Sequence, residues 1–180
     1  VLKQANHDMK ENEEFSQKAN NYMQLDEPYR GETKLLHYLE VLRDVVGFDE
    51  VAKRVKNPLT GKRIGAYYGC LLLRPGKVLQ MDNPENPKIM EDLIRALGAE
   101  PVIYASRNEC CGGYVTMEDK DLARKKSSAV MENAAEMKAD LLITACPLCL
   151  YNLTKNTPEE NRLPVLYFTE LLAEALGVKD

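Results

Sequence analysis

Residues 140–149 read Asp-Leu-Leu-Ile-Thr-Ala-Cys-Pro-Leu-Cys. The run 140–145 is short, apolar and rich in β-formers, the pattern of a buried strand. Cys146 follows that strand directly, and Cys149 falls at the start of the next helix. The same order recurs along the chain. Residues 63–69, RIGAYYG, read as a strand that ends at Cys70. Residues 101–105, PVIYA, read as a second strand, with Cys110-Cys111-Gly112-Gly113 in the loop beyond it. Residues 164–168, PVLYF, give a fourth strand.

Helical patterns separate these strands, over 88–97, over 119–138 and from Cys149 onward, and 169–176 reads as a closing helix. Gly98 stops the first of them, and Asn86-Pro87 reads as its cap and first position. Strands spaced by helices pair in parallel through right-handed crossovers. The expected fold is therefore α/β, an open parallel sheet of about four strands flanked by helices, with an N-terminal helical segment. In such a sheet all strand C-termini lie on one edge, where open α/β sheets bind ligands. Cys70, Cys110-Cys111 and Cys146 should converge there.

Before the first strand the pattern is helical. Residues 1–30 read as one polar helix with apolar points at Leu2, Ala5, Met9, Phe15, Ala19 and Met23, broken by Pro28 and Gly31. Residues 32–46 carry Leu35, Leu36, Leu39, Leu42, Val45 and Val46 at helical spacing, and Gly47 ends them. A short helix, DEVAKRV, and a loop at Asn57-Pro58 and Gly61 follow. The expected division is a helical segment over 1–58 and a cysteine-bearing unit over 59–180.

Bulk properties narrow the function. The chain has 180 residues, 44% apolar and 29% charged, an ordinary composition with enough length for a core. A net charge of -4 argues against a nucleic-acid binder. No stretch approaches the roughly eighteen apolar residues of a membrane span. The polar, acidic opening VLKQANHDMKENEEF is not a secretory signal. The expected compartment is the cytoplasm, where thiols stay reduced and a cysteine set points to metal or catalysis.

The five cysteines form one set, and an odd count suits a disulfide framework poorly. Thiolates select zinc, copper(I) or iron–sulfur clusters. A tetrahedral zinc takes four ligands and leaves one thiol over. The vicinal Cys110-Cys111 pair suits two neighbouring irons better than one zinc. Gly112 and Gly113 allow close backbone approach, with N–H groups available to cluster sulfur. A redox Cys-x-x-Cys accounts for Cys146 and Cys149 alone, and buried structural cysteines remain the plainest alternative.

The spacing Cys, Cys-Cys-Gly, Cys-Pro-x-Cys resembles the cysteine-rich CCG domain. Ala66-Tyr67-Tyr68-Gly69-Cys70, Arg74-Pro75, 82–87, 97–100, Glu109 to Gly113 and Cys146 to Asn152 resemble the B subunit of the heterodisulfide reductases most closely. The similarity is strong over about 60–176. It implies a non-cubane [4Fe–4S] cluster held by Cys70, Cys110, Cys111, Cys146 and Cys149, with Gly112 and Gly113 beside it; zinc is the alternative or substitute. It implies two-electron reduction of a thiol disulfide, either the coenzyme M–coenzyme B pair or a related one. Partners would be a flavin-bearing A-like subunit and an iron–sulfur C-like subunit. A second reading is an electron-transfer subunit of a lactate- or glycolate-type oxidoreductase, and a third is a zinc-stabilised module. The resembling proteins carry two CCG units, and this chain has one set of five cysteines. It opens on Val1 and is expected to be the C-terminal unit of a longer protein, unable alone to complete a two-cluster reaction.

Other residues have simpler readings. Arg74 is a loop arginine or a clamp for a substrate carboxylate or phosphate. His7 and His37 sit far in sequence from the thiols. Of Tyr67 and Tyr68, one is expected to approach the cluster.

Overall fold

The computed structural model describes residues 1–178. Its centre is a four-stranded parallel sheet of β1 (Arg63–Tyr67), β2 (Glu100–Val102), β3 (Leu141–Thr144) and β4 (Val165–Tyr167), in the order β2-β1-β3-β4. The α/β expectation holds. In register, Gly65 of β1 lies between Val102 of β2 and Leu142 of β3, so β1 is an inner strand of the sheet.

Strand alternation divides the core in two, because successive side chains point to opposite faces. Ile64, Ala66, Tyr68, Ile143 and Ala145 pack into one cluster with α6 (Ile89–Ala96) and α9 (Phe168–Leu176). Tyr67, Val102, Tyr104, Leu142 and Val165 pack into the other with α7 (Lys120–Glu136) and α8 (Pro147–Lys155). α6 buries Ile89, Met90, Leu93 and Ile94 on its apolar stripe.

The N-terminal segment differs from the sequence reading in two places. Residues 1–30 form two helices, α1 (Leu2–Glu11) and α2 (Glu13–Met23), because extended Asn12 interrupts them and accepts the Phe15 N–H at 3.0 Å. An N-cap placed there favours a new start over continuation. Residues 32–37 are not helical. α3 (Tyr38–Glu40) begins at a capping box formed by His37 and Glu40, then widens into a π-helical turn over Val41–Val46. Gly47, at φ 85, ends it as expected and leads into α4 (Phe48–Arg54). Leu39, Leu42 and Val51 join the α6 face of the core.

A four-residue helix, α5 (Gly76–Leu79), had no sequence signal. α6 is not capped by Asn86. Asp82 Oδ2 accepts the Lys88 and Ile89 N–H groups at 2.6 and 2.7 Å, and Asn86 instead accepts from Arg107. A carboxylate six residues upstream captured the role through loop folding, which a local pattern does not register.

Candidate metal centre

The sheet order gives the site its position. From β1 the chain crosses to β2 on one side and later returns to β3 on the other. The gap between the C-termini of β1 and β3 is thus a topological switch point, the crevice where open α/β sheets hold ligands. Cys70 follows β1 and Cys146 follows β3. Cys110 and Cys111 arrive from the loop after β2, and Cys149 from the first turn of α8.

All five thiols line one narrow cavity of about 20 Å³, together with Tyr68, Leu71, Gly113, Tyr114 and Leu148. All are free of disulfides; Cys111 and Cys149 are buried, and the others half-buried. The Cys111 and Cys149 sulfurs lie 3.7 Å apart. Asn152, fully buried one turn further along α8, donates to the Cys111 sulfur at 3.5 Å and accepts from Thr116 at 3.2 Å. The Gly112 N–H donates to the Cys110 sulfur at 3.4 Å. Ser127 on α7 donates to the Cys111 carbonyl at 3.0 Å.

These donors polarise the thiols unequally. Cys149 shares hydrogen bonds with Cys111 and Cys146, and the shared proton stays on it, so its pKa is raised. Cys111 is lowered to about 6 by Cys149, with Asn152 and the Gly113 N–H helping against burial. Cys146 is lowered to about 6 by Cys149 and by the Cys149 and Leu148 N–H groups at the start of α8. Burial and the neighbouring Cys110 raise Cys70. The thiolate is the ligand form, so a pocket that already supports thiolates suits a soft metal centre. Among the described residues, no three Cys, His, Asp or Glu side chains gather as a single metal ion would need.

Two glycines give the backbone its path. Gly112 has φ +81, and a Cβ there would stand 2.9 Å from the α7 backbone at Ala123. Gly69 has φ +63, and a Cβ there would meet the Cys149 sulfur at 2.9 Å. Positive φ and the missing Cβ are both required at these positions. Gly113 has an ordinary φ; its role is space, since a Cβ would press on Leu148 at 2.9 Å.

Sequence reasoning missed Gly69, Asn152 and Ser127. Asn152 had one readable signal, three residues after Cys149 on the same helix face. One of Tyr67 and Tyr68 was expected near the thiols, yet both are fully buried there on opposite sheet faces. Tyr68 lines the cavity. Its hydroxyl donates to buried Glu91 and accepts the Met90 N–H at 2.9 Å. Burial raises the Glu91 pKa, and Arg107 Nε faces its other oxygen at 3.2 Å. Arg74 is committed to protein, donating to the Asn108 carbonyl at 3.1 Å and to Glu85 at 3.0 Å. His37 caps α3 through Nδ1 and lines a larger apolar cavity, of about 490 Å³, that also reaches Cys146; His7 lies beside Asp8.

The cysteine-rich domain family model, CCG, matches residues 64–154, half of the chain and all five thiols. The chain belongs to this family of cysteine-rich CCG domain proteins, as the motif spacing implied. It is 33% identical over 157 residues to the 8-methylmenaquinol:fumarate reductase membrane anchor subunit of Wolinella succinogenes, covering 83% of this chain and 55% of that protein. It is 32% identical to a protein of Archaeoglobus profundus named as like the B subunit of heterodisulfide reductase, over 98% of this chain and 63% of the relative. The B subunit of the ferredoxin:CoB-CoM heterodisulfide reductase of Methanosarcina mazei is 26% identical over 98% of this chain and 62% of its own length. The chain thus spans roughly three-fifths of the relatives it matches. No helix among the described residues is long and apolar enough to cross a membrane.

Proposed function

We propose that this chain is the cluster-bearing part of a protein like the B subunit of heterodisulfide reductase. Cys70, Cys110, Cys111, Cys146 and Cys149 would hold a non-cubane [4Fe–4S] cluster. The observation that carries this reading is the convergence of all five thiols on one cavity at the sheet's switch point. When bound, the cluster supplies one-electron transfer and iron as a sulfur-seeking centre. The chain's own residues supply the rest. The α8 N-terminus and the Gly112 N–H point donors at sulfur, and Asn152 fixes the Cys111 thiol. Donors placed behind the ligands in this way orient them and tune the potential. Tyr68, Leu71, Tyr114 and Leu148 wall the cavity with apolar surface.

Residues 59–180 would form the cluster-binding unit, and 1–58 would be a helical segment, the remainder of a first CCG unit and its linker. The whole protein would reduce a thiol disulfide by two electrons in the cytoplasm, fed by a flavin A-like subunit and an iron–sulfur C-like subunit. Zinc is the alternative occupant, and a four-ligand site would leave one of the five thiols over.

A second reading is favoured by the Wolinella relative, which is named as a subunit of an 8-methylmenaquinol:fumarate reductase. On that reading the cluster only passes electrons, as in lactate- or glycolate-type complexes. The test is iron and acid-labile sulfide content of the chain prepared without oxygen, with an electron paramagnetic resonance spectrum. About four irons and four sulfides per chain are expected for such a cluster. Zinc without sulfide would overturn the reading. Oxidation of the reduced cluster by organic disulfides then separates the reductase from the electron carrier.

A further inference from the structure

β2 pairs with β1 only from Arg63 to Gly65, well short of the cysteines. Beyond that point a second ladder takes over. The three carbonyls that lead directly into Cys110 belong to Arg107, Asn108 and Glu109. The Arg107 carbonyl accepts the N–H groups of Tyr68 and Gly69 at 2.7 and 3.3 Å. The Asn108 carbonyl accepts Arg74 Nη1 at 3.1 Å. The Glu109 carbonyl accepts the Tyr67 hydroxyl at 2.7 Å. Every donor lies within 67–74, the segment that carries Cys70.

This stretch, a single 3-10 turn over Ala105–Asn108 followed by an extended Glu109, is also tied to Asn133 of α7 and to the 84–91 segment through Ser106, Arg107 and Asn108, but the bonds that join it to the Cys70 segment are those from 67–74. Successive carbonyls bound from one short segment cannot slide along it without losing several bonds together. The two side-chain donors are built for the task. Tyr67 is fully buried, and its hydroxyl lies near the Cys149 sulfur, both within 4 Å of the space a Gly69 Cβ would occupy. Arg74 uses the other arm of its guanidinium on Glu85 at 3.0 Å and more loosely on the Pro84 carbonyl at 3.4 Å. A planar fork spans these three partners in a way that the single ammonium of lysine does not.

We propose that Tyr67 and Arg74 are positioning residues that hold the Cys110-Cys111 pair in register with Cys70. Their function as ligand-setting groups rests on the reading of these cysteines as cluster ligands. A metal site needs its surroundings fixed to within about half an ångström, and this clamp supplies that constraint across the β1 and β2 loops.

The experiment uses the full chain as wild type, Tyr67→Phe, Arg74→Met and Arg74→Lys. Metal-free, reduced protein is treated with dibromobimane, which bridges only neighbouring thiols, and the Cys70–Cys110 link is followed by peptide mapping. Loss of the one Tyr67 hydrogen bond should slow that link by about fivefold in Tyr67→Phe, and Arg74→Met, which loses the Asn108 bond together with those to Glu85 and Pro84, should slow it at least as much. Arg74→Lys should fall between Arg74→Met and wild type, and keeps the test open if the methionine variant does not fold. After iron loading, the variants should show an altered paramagnetic spectrum. Unchanged linking rates in Tyr67→Phe and Arg74→Lys would overturn the clamp. A wild type that links quickly but takes up no iron would overturn the ligand reading and leave the clamp standing.

Discussion

The two faces of the sheet are built from the same alternating strands but for different ends. The α6 face holds large aliphatic side chains, among them Ile64, Ile89, Leu93, Ile94, Leu97 and Leu171, all essentially closed to solvent. The α7–α8 face holds Tyr67, Tyr104, Cys111, Cys149 and small residues such as Ala134 and Ala139. Polar atoms buried on that face must find partners or cost stability. Both faces bury aliphatic side chains, Met131, Leu142 and Leu153 on the second among them, but only the second also buries thiols. Site chemistry should therefore be concentrated on the second face.

The largest test of that contrast is Leu93→Ala. Leu93 is fully buried among aliphatic neighbours, so its truncation should cost about 2–5 kcal/mol in urea unfolding. Iron retention by the molecules that stay folded should be unchanged. Equal loss of stability and iron would break the separation of the faces. Asn152→Ala comes next. It removes the donor to Cys111 and the acceptor of Thr116 and Asn156, so it should cost about 1–3 kcal/mol. Here iron retention should fall more than stability predicts, and a proportionate loss of the two would count against a role at the thiols.

Tyr104→Phe sharpens the comparison with the opposite sign. The Tyr104 hydroxyl is buried on the thiol face with no hydrogen-bond partner among the described residues. Removing it should stabilise the protein by about 1 kcal/mol, because an unmet buried hydroxyl is a cost. A destabilised variant would show that the hydroxyl has a partner after all.

The smallest expected effect is a pH dependence at the edge of the α6 face, where the His37 ring lies 6.0 Å from that of Phe168. Burial lowers the His37 pKa from 6.5, opposed by Glu40 and aided by Lys3. Its Nδ1 accepts the Leu39 N–H, which only the neutral ring can do. The folded state thus binds fewer protons than the unfolded one. The contribution is whole above the unfolded value of 6.5 and declines as pH falls through it toward the lower folded value. Unfolding midpoints at pH 7.5 and 5.5 should differ in that direction; Cys111 and Cys146, lowered to about 6, add to the difference, so His37→Asn, which keeps a capping side chain, should reduce it by the His37 share only.

The four strands and the helices between them were legible in the chain itself, whereas the split of Ile64, Ala66 and Tyr68 from Tyr67 onto two faces came from the structure. Also legible was the arrival of Cys70, Cys110-Cys111 and Cys146 after strands and of Cys149 at a helix start, because that depends only on local periodicity and turn residues. Helix starts were legible only where the cap was local. Asn12 competed with a continuous helical pattern, and Asp82 reached α6 from six residues upstream.

What the sequence by itself determined is the class of fold and the identity of the thiols, since composition, spacing and period two are properties of the chain. Strand order was not among them. The order 2-1-3-4 exists only once the helices have chosen their faces, and it alone sets Cys70 beside Cys146 at the switch point. The donors that aim and charge the thiols were likewise decided in three dimensions. Asn152, Gly69 and the Tyr67–Arg74 clamp act across long sequence separations, where close packing and hydrogen-bond geometry, and no local pattern, decide what meets what.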